Sequence, residues 1–193
     1  MKTVKNKQIL VAADFAGVGI KDAIVKYLEN NGWSVTDIGV KSVADPNPEM
    51  FHRIGLKVGA KIAEREFERA LIFCGTGMGI HIAASKCPHV HAAVVESVPA
   101  ALRCITGNNC NVLSMGGLYL APEAAVQIAR AFLENDFGDG YEHWENFKEF
   151  HQLAYDELEA FDYDEFKRNG FEIKKLGEVD LPPSPVGHVA PIL

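Results

Sequence analysis

The strongest constraint on this chain is a set of five short apolar runs, each separated from the next by a helical pattern. They fall at residues 8–13 (QILVAA), 33–38, 70–74 (ALIFC), 91–95 and 111–115. A strand with one face in water alternates apolar and polar residues, whereas one buried on both faces reads as a continuous apolar run. The intervening segments have the spacing of helices. Ile20, Ala23, Ile24, Tyr27 and Leu28 share one face before Asn30, Asn31 and Gly32 stop the pattern. Residues 51–67 are amphipathic, and 80–85, 99–105 and 122–133 complete the set, with Pro122 suited to a first helical turn. The alternation predicts an α/β fold, a doubly wound, Rossmann-like αβα sandwich around a five-stranded parallel sheet. Such sheets bind ligands beyond the carboxyl ends of their strands. Here those ends are Asp14, the loop after Ile38, Cys74, Glu96 and the region near Met115.

Composition removes several function classes. With 193 residues, 48% apolar and 23% charged, the chain suits one globular domain with a core. No apolar run approaches the roughly 18 residues of a membrane span, so no membrane partner is expected. The basic start, residues 1–7, is followed only by a short apolar run that Asp14 ends. That is not a signal peptide, and a cytoplasmic protein is expected. Twelve acids against five bases between residues 142 and 180 carry the entire net charge of −7. No basic stripe remains for a phosphate backbone, which argues against a nucleic-acid partner. Cysteines 74, 87, 104 and 110 lack CxxC spacing and are expected to be free thiols.

Beyond Asn135 the pattern changes. Residues 136–140 form a turn, and 144–161 read as an acidic amphipathic helix with no strand to follow. That helix packs either on a partner subunit or back on its own domain. Residues 181–193 hold four of the nine prolines and read as an extended arm. The expected organisation is an α/β domain over 1–141, an acidic helical segment over 142–168 that contacts a second subunit, and a Pro-rich arm over 169–193.

The most chemically suggestive stretch is Cys74-Gly75-Thr76-Gly77-Met78-Gly79-Ile80, directly after a buried strand. Alternate glycines let backbone N–H groups turn inward, and such a loop can hold an anion, including one formed during a reaction. The rival reading is a plain strand-to-helix turn. The dinucleotide fingerprint would need glycine where Ile80 stands, and no Gly-Lys-Ser/Thr marks a phosphate loop. Cys74 sits at the mouth of the loop. A thiolate there can act as a general base toward carbon. A buried, inert core thiol is the alternative. His89 and His91 near Cys87 are too closely spaced for a good metal site, and His81 falls in the first turn after the loop.

In order, ILVAADFAG, ALIFCGTGMGIHIAASK and GNNCNVLSMGG resemble the ribose-5-phosphate isomerase B / galactose-6-phosphate isomerase family, from about Gln8 to about His151. The resemblance implies aldose–ketose isomerisation through a cis-enediolate, with no cofactor and no metal. It implies that Cys74 is the carbon base and that Thr76 and the amides around Gly75, Gly77, Met78 and Gly79 hold the enediolate oxygen. It further implies that Asp14 contacts substrate hydroxyls, with Phe15, Asn108, Asn109 and His143 at the same pocket. The family's proteins are homodimers with the site between subunits, so a second copy and a small sugar or sugar-derived substrate are the implied partners.

Departures from the family pattern narrow the chemistry. Phe15 stands where the family has a histidine, and Gly107 replaces the histidine credited with opening the sugar ring. Of two arginines flanking a histidine before the last helix, only the histidine, His143, is matched. Leu118 stands where another arginine is usual. A phosphate needs charge-assisted donors, and Glu142 and Glu145 would repel one. The expectation is a small open-chain sugar, sugar phosphate or sugar acid. Lys21, Arg53, Lys86 and Arg103 are the remaining cations for an anionic group, and Phe15 and Trp144 are candidates for an apolar pocket wall. Two rival classes remain: a non-catalytic sugar-binding protein of the same fold, and an unrelated phosphate- or flavin-binding doubly wound protein.

Overall fold

The computed structural model describes residues 4–142 and 144–181. His143 and the proline-rich stretch 182–193 lie outside the described residues. The elements are β1 (Gln8–Ala13), α1 (Val18–Asn30), β2 (Ser34–Asp37), α2 (Phe51–Ala63), β3 (Ala70–Cys74), α3 (Met78–Ala84), β4 (Ala92–Val94), α4 (Val98–Thr106), β5 (Val112–Gly116), α5 (Pro122–Leu133), α6 (Phe147–Glu159) and α7 (Tyr163–Arg168). All strand pairs are parallel, in the order β2-β1-β3-β5-β4. The doubly wound α/β architecture read from the apolar runs is therefore the one observed.

Period-two alternation splits each apolar run between two cores. Ile9, Val11, Ala13, Leu71, Phe73, Leu113 and Met115 face a cluster completed by α1, α4 and α5. Leu10, Ala12, Ala70, Ile72, Cys74 and Val112 face the opposite cluster with α2 and α3. Both faces of β1, β3 and β5 are covered, so these strands show no exposed side, whereas the edge strand β2 alternates exposed Ser34 and Thr36 with half-buried Val35 and Asp37.

Local chemistry sets the boundaries. Ser97 caps α4 by accepting a bond from the Ala100 amide at 3.3 Å, with Pro99 in the first turn. The helix expected over 51–67 stops at Ala63, because Arg65 turns left-handed at φ 59°. The helix expected over 144–161 is shorter. Asn146 is left-handed at φ 59°, α6 starts at Phe147, and Asp162 caps a separate α7 through the Glu165 amide at 2.6 Å. Tyr141, Trp144 and Phe147 stack face to face ahead of α6. Among the described residues, no helix is long and apolar enough to cross a membrane.

Candidate active site

Strand order builds this site. β1 runs to β2 on one side and the chain returns to β3 on the other, so the winding reverses between β1 and β3, where open α/β sheets form a crevice. Register places Ala13 beside Phe73 and Cys74 beside Gly116. The loops after β1, β3 and β5 therefore meet at one carboxyl edge. Cys74 O accepts from the Gly117 amide at 2.8 Å and Gly75 O from the Leu118 amide at 2.9 Å. A Cβ on Gly117 would come within 2.3 Å of Ala16 O, so that loop closes onto the β1 loop only because the residue is glycine.

Asp14 is buried, at 5% exposure. Its Oδ1 accepts from the Ala16 amide at 2.9 Å and the Gly17 amide at 3.1 Å, folding the loop into an Asx-type turn. Burial pushes its carboxyl above the usual aspartate range, against the opposing pull of the Gly17 and Ala16 amides. A carboxyl so placed is poised to hydrogen-bond a hydroxyl.

Cys74 is 4% exposed, on the α2/α3 side of the sheet. Its Sγ accepts from the Gly77 amide at 3.1 Å. Gly77 reaches that position at φ +75°, and an added Cβ would stand 2.9 Å from the carbonyl carbon of Met115. The buried Ser114 hydroxyl donates to Gly77 O, and Thr76 Oγ1 accepts from the Met78 amide at 3.3 Å. So the loop amides divide: that of Gly77 faces the sulfur, and that of Met78 is held by Thr76. Gly79 lies inside α3, with the Phe51 ring where its Cβ would be.

The rim is apolar. Phe15, Met78, Leu118 and Tyr119 are each at least half exposed. Leu118 packs toward Gly75, and the Tyr119 ring lies over Gly116. The sequence reading missed Ser114 and Tyr119; the Gly116-Gly117 pair at the end of a strand was the available signal for a close loop contact there.

Asn108 and Asn109 lie elsewhere in the same chain. They precede β5, and the five residues of β5 alone put about 13 Å between its ends. They therefore occupy the amino edge of the sheet, while Asp14, Cys74 and Thr76 occupy the carboxyl edge. Asn109 is left-handed at φ 49°, and Asn108 Nδ2 donates to Arg103 O at 3.3 Å. A cavity of about 450 Å³ at this edge is lined by Arg65, His89, Asn109, Cys110, Tyr155 and Glu159, among others. Beside it, the Phe147 ring covers Gly107, 3.8 Å from where a Cβ would sit. His143, the remaining sequence candidate, is outside the described residues.

Other candidates have structural partners. Lys21 is buried at 1% exposure, bonding Asp37 Oδ2 at 2.8 Å and Val40 O at 2.7 Å. His81 Nε2 meets Ala92 O at 3.2 Å. His89 and His91 each bond one oxygen of Glu159, joining α6 to the amino edge. Arg53 pairs with Glu49, and Arg103 stacks over Tyr141 at 4.7 Å. Lys86 is exposed beyond α3.

Comparison with known proteins supplies relatives for this arrangement. The family described as Ribose/Galactose Isomerase matches residues 9–150. A 4-deoxy-4-sulfo-D-erythrose isomerase from Clostridium sp. (strain MSTE9) is 37% identical over 137 residues, which is 71% of this chain and 85% of that one. A D-erythrulose-4-phosphate isomerase from Pectobacterium atrosepticum is 30% identical over 132 residues, 68% of this chain and 86% of the relative. The solved ribose-5-phosphate isomerase B of Clostridium thermocellum superposes with a TM-score of 0.69 at 26% identity. That match covers 84% of this chain and 99% of the other.

Proposed function

The chain belongs to the ribose/galactose isomerase family, and from that premise we propose that it interconverts the aldose and ketose forms of a small open-chain sugar, sugar phosphate or sugar acid. The observation that carries this reading is the Cys74 sulfur facing the Gly77 amide at the crevice it shares with Asp14.

Isomerisation begins with removal of a proton from the carbon beside the carbonyl. Cys74, as thiolate, takes that proton, and the electrons move onto the carbonyl oxygen to give a cis-enediolate. Thr76 and the amides of the 75–79 loop other than those of Gly77 and Met78 stabilise the oxyanion. One such donor is worth about 2.7–4 kcal/mol in comparable sites. Asp14 orients the neighbouring hydroxyl, whose proton passes to the enediolate oxygen, and Cys74 returns its proton to the adjacent carbon as the carbonyl forms at the former hydroxyl. The protein groups alone complete the cycle.

Asn108 and Asn109 serve the site from a second copy of the chain. Their position at the opposite sheet edge supports this, because one chain cannot bring them to its own Cys74. The exposed rim of Phe15, Met78, Leu118 and Tyr119 supplies apolar surface for that contact. The working unit is thus a homodimer, with α6 at the subunit contact. Free thiols at 74, 87, 104 and 110 fit a reducing compartment such as the cytosol.

The substrate is open-chain. Gly107 carries no side chain, and the Phe147 ring lies 3.8 Å from where its Cβ would sit, so Gly107 supplies no group to open a ring. Two relatives are named for four-carbon sugars bearing an anionic group, and that size class is the one proposed for the substrate. The test is proton exchange: incubate candidate sugars in deuterated water and follow label at the carbon beside the carbonyl. The wild-type chain exchanges it. Cys74→Ala binds the same sugar without exchange, and full exchange by that variant would refute the base assignment.

A further inference from the structure

We propose that Cys104 and Cys110 form a peroxide-sensitive dithiol, a modification site separate from Cys74 that closes the Asn108–Asn109 loop with a disulfide. Cys104 lies in the last turns of α4, and Cys110 lies two residues before β5. The Cys110 amide bonds Cys104 O at 3.0 Å, so the backbone brings the two residues together across the loop. Both residues are less than a tenth exposed, and each thiol perturbs the other. Cys110 lines the open cavity of about 450 Å³ at the amino edge, which gives a small oxidant a way in.

The neighbours divide the labour. Interaction with the Cys104 thiol holds Cys110 below the usual thiol range, despite its burial. Cys104 is pushed up by the same interaction and by desolvation, and its Sγ donates to Ala101 O at 3.1 Å. Because Cys110 lines the cavity and Cys104 is turned to Ala101 O, Cys110 is the nucleophile and Cys104 the resolving thiol. Among the described residues Cys87 has no thiol partner; its sulfur lies 3.8 Å from Leu56 O.

The chemistry balances with hydrogen peroxide as oxidant. The Cys110 thiolate attacks one peroxide oxygen, the O–O bond breaks, and hydroxide leaves to be protonated as water, giving Cys110 sulfenic acid. The Cys104 sulfur then attacks Cys110 Sγ, forming the S–S bond and expelling a second water. Two thiols lose two electrons, and one peroxide becomes two waters. The resulting ring encloses residues 105–109. Under the proposed function that loop serves a partner's site; the thiol chemistry does not depend on that reading.

Peptide mapping tests it. The full-length chain is treated with stoichiometric hydrogen peroxide, alkylated with iodoacetamide and cut with trypsin. Arg103 and Arg130 bracket one peptide containing both cysteines. The expected peptide is lighter by two hydrogens and has lost both alkylation sites, and dithiothreitol restores both. In Cys104→Ala the light peptide disappears, and dimedone labels Cys110 instead. A peptide that keeps both alkylation sites while Cys74 or Cys87 oxidises overturns the proposal, as does a Cys110 cross-link to a second chain. Either result holds whether or not the chain isomerises sugars.

Discussion

The sulfur of Cys74 and the backbone amide of Gly77 stand 3.1 Å apart, and directly after that amide the chain turns left-handed, at φ +75°, to enter α3. Gly77→Ala forces a Cβ to within 2.9 Å of the Met115 carbonyl carbon. The expected cost is about 1–3 kcal/mol of stability, with at least about a tenfold loss in kcat from the misplaced loop. Urea unfolding and a steady-state isomerase assay measure the two effects.

Asp14 links stability and function with opposite signs. Burial holds its folded pKa above the unfolded value, so the fold favours the protonated form. Its contribution to stability is therefore most favourable at low pH and diminishes as pH rises from the unfolded pKa through the folded one. Asp14→Asn keeps an oxygen for the Ala16 and Gly17 amides while removing the buried charge. At pH 7 the variant is expected to be at least as stable as wild type yet nearly inactive. Parallel denaturation and activity measurements check it, and a marked drop in stability would contradict the assignment.

The buried Lys21 ammonium depends on Asp37. Although burial pushes the Asp37 carboxyl up, bonds from Lys21, the Gly39 amide and Lys41 hold it below its usual value. Asp37→Ala leaves Lys21 with Val40 O and the exposed Asp22 carboxylate at 3.3 Å. Removing one member of such a buried pair costs about 3–5 kcal/mol. Chemical denaturation reads this directly.

The C-terminal helix has a pH-dependent fastening. Glu159 lies below the usual glutamate value: burial alone would raise it, but the bonds from His91 and His89 outweigh that. A depressed carboxyl stabilises above its unfolded pKa and loses that contribution as pH falls through the folded one. Amide exchange of α6 should thus be faster in Glu159→Gln than in wild type at pH 7. The difference should shrink as pH falls below the usual glutamate value of 4.5 and vanish only once the pH has passed through the lower folded value.

Thr106 is fully buried, and its Oγ1 has no hydrogen-bond partner among the described residues. An unsatisfied buried hydroxyl costs about 1–3 kcal/mol. Thr106→Val keeps the shape and should raise the unfolding free energy by about 1 kcal/mol, measured as a higher denaturation midpoint.

Much of the architecture was written in local pattern. The apolar runs of β1, β3 and β5 can be stable only when covered on both faces, so the helices had to lie on both sides of a parallel sheet, while edge strand β2 keeps a polar alternation. Cys74 and the glycines after it were equally legible, because a strand end followed by Gly-x-Gly restricts the backbone wherever it occurs. Helix ends were less so: Arg65 and Asn146 stop or delay helices through left-handed backbone that their side chains do not announce.

Periodicity and turn chemistry, which act over a few residues, determined the fold class and the loop that carries the thiol. Strand order, by contrast, rests on contacts between segments tens of residues apart. Only the tertiary structure put β5 beside β3, so that Gly116 and Gly117 close onto the Cys74 loop. It alone set Asn108 and Asn109 at the far edge of the sheet, brought Cys104 and Cys110 into contact, and tied Glu159 to two histidines. Each of these follows from how long-range packing is satisfied, and no local pattern encodes it.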